Sequence, residues 1–273
     1  MKILVPIDFT PVTENALKYS IGLTETLPVK NIVLFHVVST EKETAAATEK
    51  LNGLIQNYNG QSKAKIESFI KPGNIFDQIG KAAVEVGATL IVMGTHGIKG
   101  MQKILGSRAM KVITNSETPY IVVQKKPFSE VKKILVPVDY THEVKQILPL
   151  LQSLNEKFKA VFHLIKEEAK DDFINNKIRN NLMYFKSYLS DNNISFVEAG
   201  AYVASSKYKD VLQKADSSDA DLIVTTIDPE TNITDYIMGV EEQKLVANES
   251  QIPVLCVNIK QIMNRKGNFF ELI

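Results

Sequence analysis

The sequence predicts an α/β protein made of two tandem, five-stranded, doubly wound parallel sheets that pair with each other within one chain. Three observations predict this fold. A nine-residue segment occurs twice, about 130 residues apart; the predicted strands are continuous apolar runs; and stretches of helical periodicity alternate with those strands.

The repeat is clearest at the start of each copy. Lys2–Thr10 returns as Lys133–Thr141, with seven of nine positions identical. Three further landmarks recur at offsets of 127 to 134 residues: Phe35-His36-Val37 with Phe162-His163-Leu164, Leu90–Val92 with Leu222–Val224, and Pro119–Val123 with Pro253–Val257. Such near-constant spacing indicates duplication of one structural unit.

The elements of the first copy follow from hydrophobic periodicity. Continuous β-branched runs are typical of parallel strands covered by helices on both faces, and they predict strands at Ile3–Val5, Ile32–His36, Ile66–Ile70, Leu90–Met93 and Tyr120–Val123. Apolar residues at helical spacing predict helices at Thr13–Thr26, Ile75–Val86 and Ser107–Asn115. The order of strands and helices predicts right-handed crossovers.

These patterns divide the chain into a first domain at 1–126, a second at 131–260 and an apolar tail at 261–273. The linker Gln124–Lys132 is short, so the two units are expected to pack together. The apolar last strands of the two copies would be exposed sheet edges, which proteins usually pair or cover. We therefore expect them to pair within the chain, and a further homodimer is compatible with this arrangement.

Composition excludes several classes of protein. The 273 residues carry 32 basic and 31 acidic side chains, a net charge of +1, which argues against nucleic acid or an anionic membrane as partner. The single cysteine, Cys256, cannot form an internal disulfide. The amino-terminal apolar run breaks at Pro6 and Asp8, too early for a signal peptide, so we expect a cytoplasmic protein without a membrane span.

Ligands of doubly wound sheets bind beyond the carboxyl ends of the strands, so the loops there are the places to look for a site. Asp8 follows the first strand directly. Its carboxylate could accept hydrogen bonds from a ribose or an adenine edge, or it could cap the helix that begins near Pro11 or Thr13. The sequence leaves both roles open.

The loop after the fourth strand runs Met93-Gly94-Thr95-His96-Gly97-Ile98-Lys99-Gly100 and continues to Gly106-Ser107-Arg108. Its glycines allow the backbone to approach a ligand closely, and a helix start at Gly106-Ser107 would offer amides to a phosphate. The segment is neither a Walker A motif nor a dinucleotide-binding fingerprint. It predicts an anion-binding loop in the first copy.

Together, Pro6-x-Asp8, Gly94-x-x-Gly97 with Gly106-Ser107, and the final strand Pro119–Val123 resemble the universal stress protein family in its tandem two-domain form. The resemblance spans the chain and is stronger in its first half. It implies an adenine nucleotide alpha hydrolase-like fold with ATP at the carboxyl edge of the sheet.

By this resemblance, Asp8 would contact the adenine or ribose, and Val37 and Val38 would line the base pocket. Gly94 and Gly97 would lie beside the ribose and α-phosphate. Gly106 and Ser107 would hold the terminal phosphates. The implied nucleotide-binding residues are Pro6, Ile7, Asp8, Val37, Val38, Met93, Gly94, His96, Gly97, Gly106, Ser107 and Arg108. The family pattern has nine residues between the second and third glycines, whereas this sequence has eight, Ile98–Leu105. That difference changes where Ser107 points.

The second copy departs further. Thr225-Thr226-Ile227-Asp228-Pro229 replaces the glycine loop, with a negative charge and a missing amide where phosphate would bind. We therefore expect a stress-response regulatory protein that binds ATP, AMP or ADP, with or without a metal ion, in its first half only. The alternative is an interaction or scaffold protein of the same fold that binds no nucleotide.

Catalysis has little support in the sequence. No Ser-His-Asp, Cys-His or paired-carboxylate arrangement has suitable spacing, so hydrolysis of ATP would at most be slow. The repeat places His36 and His163 at equivalent positions at the end of the second strand of each copy, and we interpret both as half-buried structural histidines rather than metal ligands.

Overall fold

The computed structural model describes residues 1–95, 118–141, 143–227 and 244–258. The strands are β1 (Lys2–Pro6), β2 (Asn31–Val38), β3 (Lys65–Pro72), β4 (Leu90–Gly94), β5 (Tyr120–Val123), β6 (Lys133–Val138), β7 (Val161–Glu168), β8 (Phe196–Val203), β9 (Leu222–Ile227) and β10 (Val254–Asn258). The α-helices within these ranges are α1 (Pro11–Leu23), α2 (Thr44–Asn57), α3 (Ile75–Val86), α4 (Leu148–Phe158), α5 (Asp172–Asp191) and α6 (Lys207–Ser217).

All ten strands form one sheet in the order β3-β2-β1-β4-β5-β10-β9-β6-β7-β8. Every pairing within a half is parallel, and the one pairing between halves, β5 with β10, is antiparallel. Each half therefore has the same strand order, and the second half continues the sheet of the first. The predicted fold class is confirmed.

The sheet is covered on both faces because its strands alternate between two hydrophobic layers. In β1, Ile3 and Val5 pack in one layer with helices α1 and α2, while Leu4 packs in the other with α3. The second half repeats this arrangement, with α4 and α5 in the first layer and α6 in the second. Burial on both faces explains why the central strands are apolar without alternation.

The two halves meet at the last strand of each. Val122 lies opposite Val254 and Tyr120 lies opposite Cys256, and all four residues are buried. Beside this pairing, the Gln124 side chain donates a hydrogen bond of 2.5 Å to the buried carbonyl of Asn248. Strand pairing and this polar contact together satisfy backbone groups that would otherwise be unpaired at two sheet edges.

The linker packs against the first half along its length. The Phe128 ring stacks edge-on against Tyr19 at 5.2 Å, and Val131 is fully buried. The Asn15 side chain donates to the carbonyls of Gln124 and Lys126 at 2.8 and 3.0 Å. Helix α1 thus holds the connection between the halves in place.

Some predicted boundaries differ from the structure. Helix α1 begins at Pro11, two residues before the predicted start, because proline is favoured in the first turn of a helix. Strand β3 contains no fully buried residue because it is the outer strand of the sheet, although Ile66 and Ile70 pack against one hydrophobic layer and Phe69 against the other. The predicted helix Ser107–Asn115 and the tail 261–273 lie outside the described residues.

The alignment of His163 with His36 is also wrong. Asn31 pairs with Lys2 in the first half, and Val161 pairs with Lys133 in the second. This register places Lys166, three residues after His163, at the position of His36. The similar triplets Phe-His-Val and Phe-His-Leu misled the alignment, because strand pairing rather than local identity determines equivalent positions.

Gly22 allows the linker to lie this close to helix α1. A Cβ added at Gly22 would lie 2.2 Å from Cδ1 of Phe128. We expect Gly22→Ala to lower the free energy of unfolding by about 1 to 3 kcal/mol, because the ring must move out of its packing position. Urea unfolding measures this change.

Gly53→Ala in helix α2 is the control, since an added Cβ there has nothing within 4 Å. Helix propensity predicts a small gain in stability for this variant. Removing the ring by Phe128→Ala should reduce the penalty of Gly22→Ala. Equal effects of Gly22→Ala in the presence and absence of the ring would contradict this explanation.

Candidate functional site

The carboxyl edge of the first half has a crevice where the strand order reverses. From β1 the chain runs outward through β2 to β3 and then crosses back to β4 on the other side of β1. The loops after β1 and β4 therefore diverge, and a ligand can enter between them. Asp8 and Thr95 lie in these two loops.

Asp8 is exposed at this edge, and the following loop fixes its orientation. Its Oδ1 accepts hydrogen bonds from the Thr10 amide at 3.0 Å, the Thr10 hydroxyl at 2.5 Å and the Thr13 hydroxyl at 2.9 Å. The N-cap of helix α1 is Thr10, whose side chain makes no capping bond. Asp8 therefore organises the turn before the helix and does not itself cap a helical amide.

Phe9 is a residue of this edge that the sequence reasoning missed. It adopts a left-handed backbone conformation with φ of 64°, which is uncommon for a large side chain, and its ring is 39% exposed. The ring lies 4.9 Å from that of His36, whose Nδ1 donates to the Ile7 carbonyl at 2.7 Å. The exposed ring of Phe9 thus lies next in the chain to Asp8 and packs against His36, which has a structural role.

The end of β4 lies directly against the first turn of helix α1. A Cβ added at Gly94 would lie 2.3 Å from the carbonyl oxygen of Val12 and 2.9 Å from the nitrogen of Thr13. The Thr95 amide continues the strand pairing by donating to the Val123 carbonyl at 2.9 Å. Gly94 therefore has a packing role: it permits the close approach that narrows the crevice between β1 and β4.

The structure places the other predicted residues at different depths. Pro6, Ile7, Val38 and Met93 are buried beneath the edge, and Val37 is half-buried. They lie at the ends of β1, β2 and β4 and form the floor of this edge. The remaining predicted residues, His96, Gly97, Gly106, Ser107 and Arg108, lie outside the described residues.

The second half repeats, after β6, the turn that Asp8 makes after β1. Asp139 Oδ1 accepts from the amide and hydroxyl of Thr141 at 2.9 and 2.5 Å, as Asp8 does from Thr10. The buried Asn181 holds this turn by donating to the carbonyls of Asp139 and Thr141. The local motif at the end of the first strand is therefore common to both copies.

By the strand register, Glu167 and Glu168 occupy the positions of Val37 and Val38. Glu167 is only 7% exposed. Burial, and after it the nearby carboxylate of Asp139, raises the pKa of Glu167, while Lys207 opposes the shift. Counting equally from Lys2 and from Lys133 brings Glu168 to the position of Val37, one residue away from the register that strand pairing sets.

Among the residues that the structure describes, no group of three or more His, Cys, Asp or Glu side chains is arranged to hold a metal ion. The helices in the described ranges include none that is both long enough and apolar enough to cross a bilayer.

Comparisons with known proteins agree with this architecture. Residues 1–124 match the model of the universal stress protein family. A universal stress protein of Methanocaldococcus jannaschii is 26% identical over 155 residues, which cover 46% of this chain and 95% of that protein. The solved structure of an Archaeoglobus fulgidus universal stress protein has a TM-score of 0.76 at 19% identity and covers 94% of this chain and 98% of its own.

A functionally unknown protein from Pseudomonas aeruginosa has a TM-score of 0.67 at 16% identity, covering 99% of this chain and 96% of its own. At such low identity, these two solved structures establish the fold alone. Because each match spans nearly the full length of both chains, the doubled architecture is shared.

Gly94 provides a test of the packing at the crevice. We expect Gly94→Ala to destabilise the protein by about 1 to 3 kcal/mol, because the added Cβ collides with the backbone of helix α1 and not with a flexible side chain. Thermal or urea unfolding checks this. Gly80→Ala, at a helical glycine with open space around it, is the matched control and should be neutral or stabilising.

Glu167 gives the protein a specific pH dependence. The folded protein binds this proton more tightly than the unfolded chain, so the wild type gains stability as the pH falls through the raised pKa and stops gaining below the ordinary value of 4.5. We expect Glu167→Gln to raise the urea midpoint at pH 7, and the advantage to shrink towards pH 4. Glu168→Gln at the exposed neighbouring position is the control, and an identical pH profile for both variants would contradict the assignment.

Proposed function

Because this chain belongs to the universal stress protein family, we propose that it is a stress-response regulatory protein whose first half binds an adenine nucleotide. The nucleotide is ATP, or AMP or ADP, in the crevice between the loops after β1 and β4. The observation that carries the proposal is the orientation of the Asp8 carboxylate at the point where the strand order reverses. That is where doubly wound sheets bind their ligands.

The described side of the crevice suits a nucleoside. The three donors on Oδ1 keep the Asp8 carboxylate at the sheet edge, where it can accept hydrogen bonds from a ribose hydroxyl or an adenine amino group. The partly exposed ring of Phe9 beside it, with Lys50 Nζ 5.8 Å from the ring centroid, adds aromatic surface at which a base could pack. Half-buried Val37 adds apolar surface at the end of β2.

The phosphates are assigned from the sequence. Gly97, Gly106 and Ser107 belong to the glycine loop that follows β4, and their amides would receive the phosphate oxygens. His96, Lys99 and Arg108 add potential positive charge along the same segment. A metal ion would bind with the phosphates rather than at a separate protein site.

The second half is proposed to bind no nucleotide. Glu167 and Glu168 replace the valines of the base floor, and Asp228 and Pro229 stand where the glycine loop would present amides. Carboxylates at both places repel phosphate. The halves, divided at 1–126 and 131–260, would thus act as one binding unit and one structural partner.

A second candidate function is that of a non-nucleotide interaction protein in the cytoplasm, acting as monomer or homodimer. The eight-residue spacer Ile98–Leu105 favours it, because a loop one residue shorter than the family pattern redirects Ser107. Neither candidate function is catalytic; the first would allow slow hydrolysis of the bound ATP at most.

Asp8 and Asp139 allow a matched test, since each carboxylate accepts a hydrogen bond from the amide of the threonine two residues later in the chain. Isothermal titration of the full chain with ATP, ADP and AMP should show one site. Asp8→Ala should weaken binding about tenfold or more, because a bond to a charged group is lost, while Asp139→Ala should leave the affinity unchanged.

The same titration separates the candidates. Absence of heat at millimolar nucleotide would favour the interaction protein. Equal weakening by the two alanine variants would show that the turn affects binding only through general stability, and would remove Asp8 from the site.

A further inference from the structure

Thr13 lies in the first turn of helix α1, between the two walls of the first-half crevice. The residue is only 7% exposed, and its hydroxyl lies 2.9 Å from Oδ1 of Asp8, in the loop after β1. Its backbone packs against the other wall, because a Cβ added at Gly94, the last residue of β4, would lie 2.9 Å from the Thr13 nitrogen. One residue therefore contacts both of the strand ends between which the nucleotide is proposed to bind.

The Thr13 hydroxyl has one proton and two acceptors within reach, Asp8 Oδ1 at 2.9 Å and the Thr10 carbonyl at 3.0 Å. A bond to the carbonyl of the preceding turn is the ordinary choice of a threonine in a helix. Here, however, the Thr10 carbonyl already accepts from the amides of Thr13 and Glu14, at 3.1 and 3.0 Å. The carboxylate is the stronger acceptor because it is charged, so the hydroxyl donates to Asp8.

This bond helps to fix the rotation of the Asp8 carboxyl group. The terminal torsion of an aspartate is broad and roughly two-fold, so the side chain itself does not select which oxygen faces the protein. Thr10 donates to Oδ1 from the turn, through its amide and its hydroxyl, and Thr13 donates to the same oxygen from the helix. Donors on two segments hold the carboxylate more firmly than the turn alone. A group that is held before the ligand arrives loses less conformational entropy when the ligand binds.

The second copy holds its turn in a different way. Thr141 donates to the Asp139 carboxylate through its amide and hydroxyl, but Val144 follows three residues later, where the first copy has Thr13. Valine has no hydroxyl to donate. Asn181 holds this turn through its backbone, by donating to the carbonyls of Asp139 and Thr141 at 2.9 and 2.8 Å. Of the two copies, only the first has a threonine at this place in the helix to orient the carboxylate.

We propose that Thr13 is a positioning residue for the nucleotide. Its hydroxyl holds the Asp8 carboxylate in the orientation that the nucleoside meets, and its backbone ties that carboxylate to the end of β4. This role rests on the proposed nucleotide site, to which it adds a residue that acts through Asp8.

Thr13→Val tests this role, because valine keeps the branched shape of threonine and lacks the hydroxyl. Isothermal titration of the full chain should show about three- to tenfold weaker binding, since a bond that orients a charged group is lost. The factor should be the same for ATP, ADP and AMP, because Asp8 is proposed to contact the nucleoside that all three share. Thr13→Ser keeps the hydroxyl and should keep the affinity within about twofold.

A double-mutant cycle separates this role from a general effect on stability. In an Asp8→Ala background, Thr13→Val should weaken binding no further, because the group that the hydroxyl orients is gone. Val144→Thr makes the reverse exchange in the second half and should leave the nucleotide affinity unchanged. Circular dichroism and urea unfolding verify that each variant folds.

Three outcomes would overturn the role of Thr13 and leave the nucleotide site in place: wild-type affinity in Thr13→Val, an equal loss of affinity in Thr13→Ser, or a loss that persists in full beside Asp8→Ala. Absence of nucleotide binding to the wild-type chain would instead remove the proposed function, and this role with it. The wild-type titration therefore distinguishes failure of the proposed function from failure of the role of Thr13.

Discussion

The antiparallel pairing of β5 with β10 is the constraint on which the rest of the structure depends. Each half alone would end in an apolar strand with unpaired backbone groups, which is unfavourable in water and prone to association. Joining the two edges buries Tyr120, Val122, Val254 and Cys256 and extends one sheet through the molecule. The bond from Gln124 to the buried Asn248 carbonyl adds a directional contact to this apolar junction.

This junction also explains how the two copies could diverge. The last strands lie at the centre of the ten-stranded sheet, and the turns after β1 and β6 lie at opposite edges of it, because the two halves pair antiparallel. Residues in these turns can change without disturbing the pairing. The Asp-x-Thr turn is kept in both copies, whereas the valines at the end of β2 have become glutamates at the end of β7.

Much of the fold could be predicted from local sequence. The repeat of Lys2–Thr10 and the apolar runs identify the duplication and most strands, because burial on both faces leaves a strong compositional signal. The outer position of strand β3 could not be predicted, since the sequence of a strand does not say how many neighbours it has. Phe9 was missed because a left-handed conformation at a phenylalanine has no sequence signature.

The sequence by itself determined that the chain is a doubled α/β protein, that Asp8 and Gly94 stand at the ends of strands, and that the second glycine loop has been lost. Only the tertiary structure decided that Lys166, and not His163, corresponds to His36, and that Glu167 is buried at the base position. The physical reason is that hydrophobic pattern records which residues are covered, whereas strand register and helix packing decide which residues meet. These depend on contacts between segments far apart in the chain.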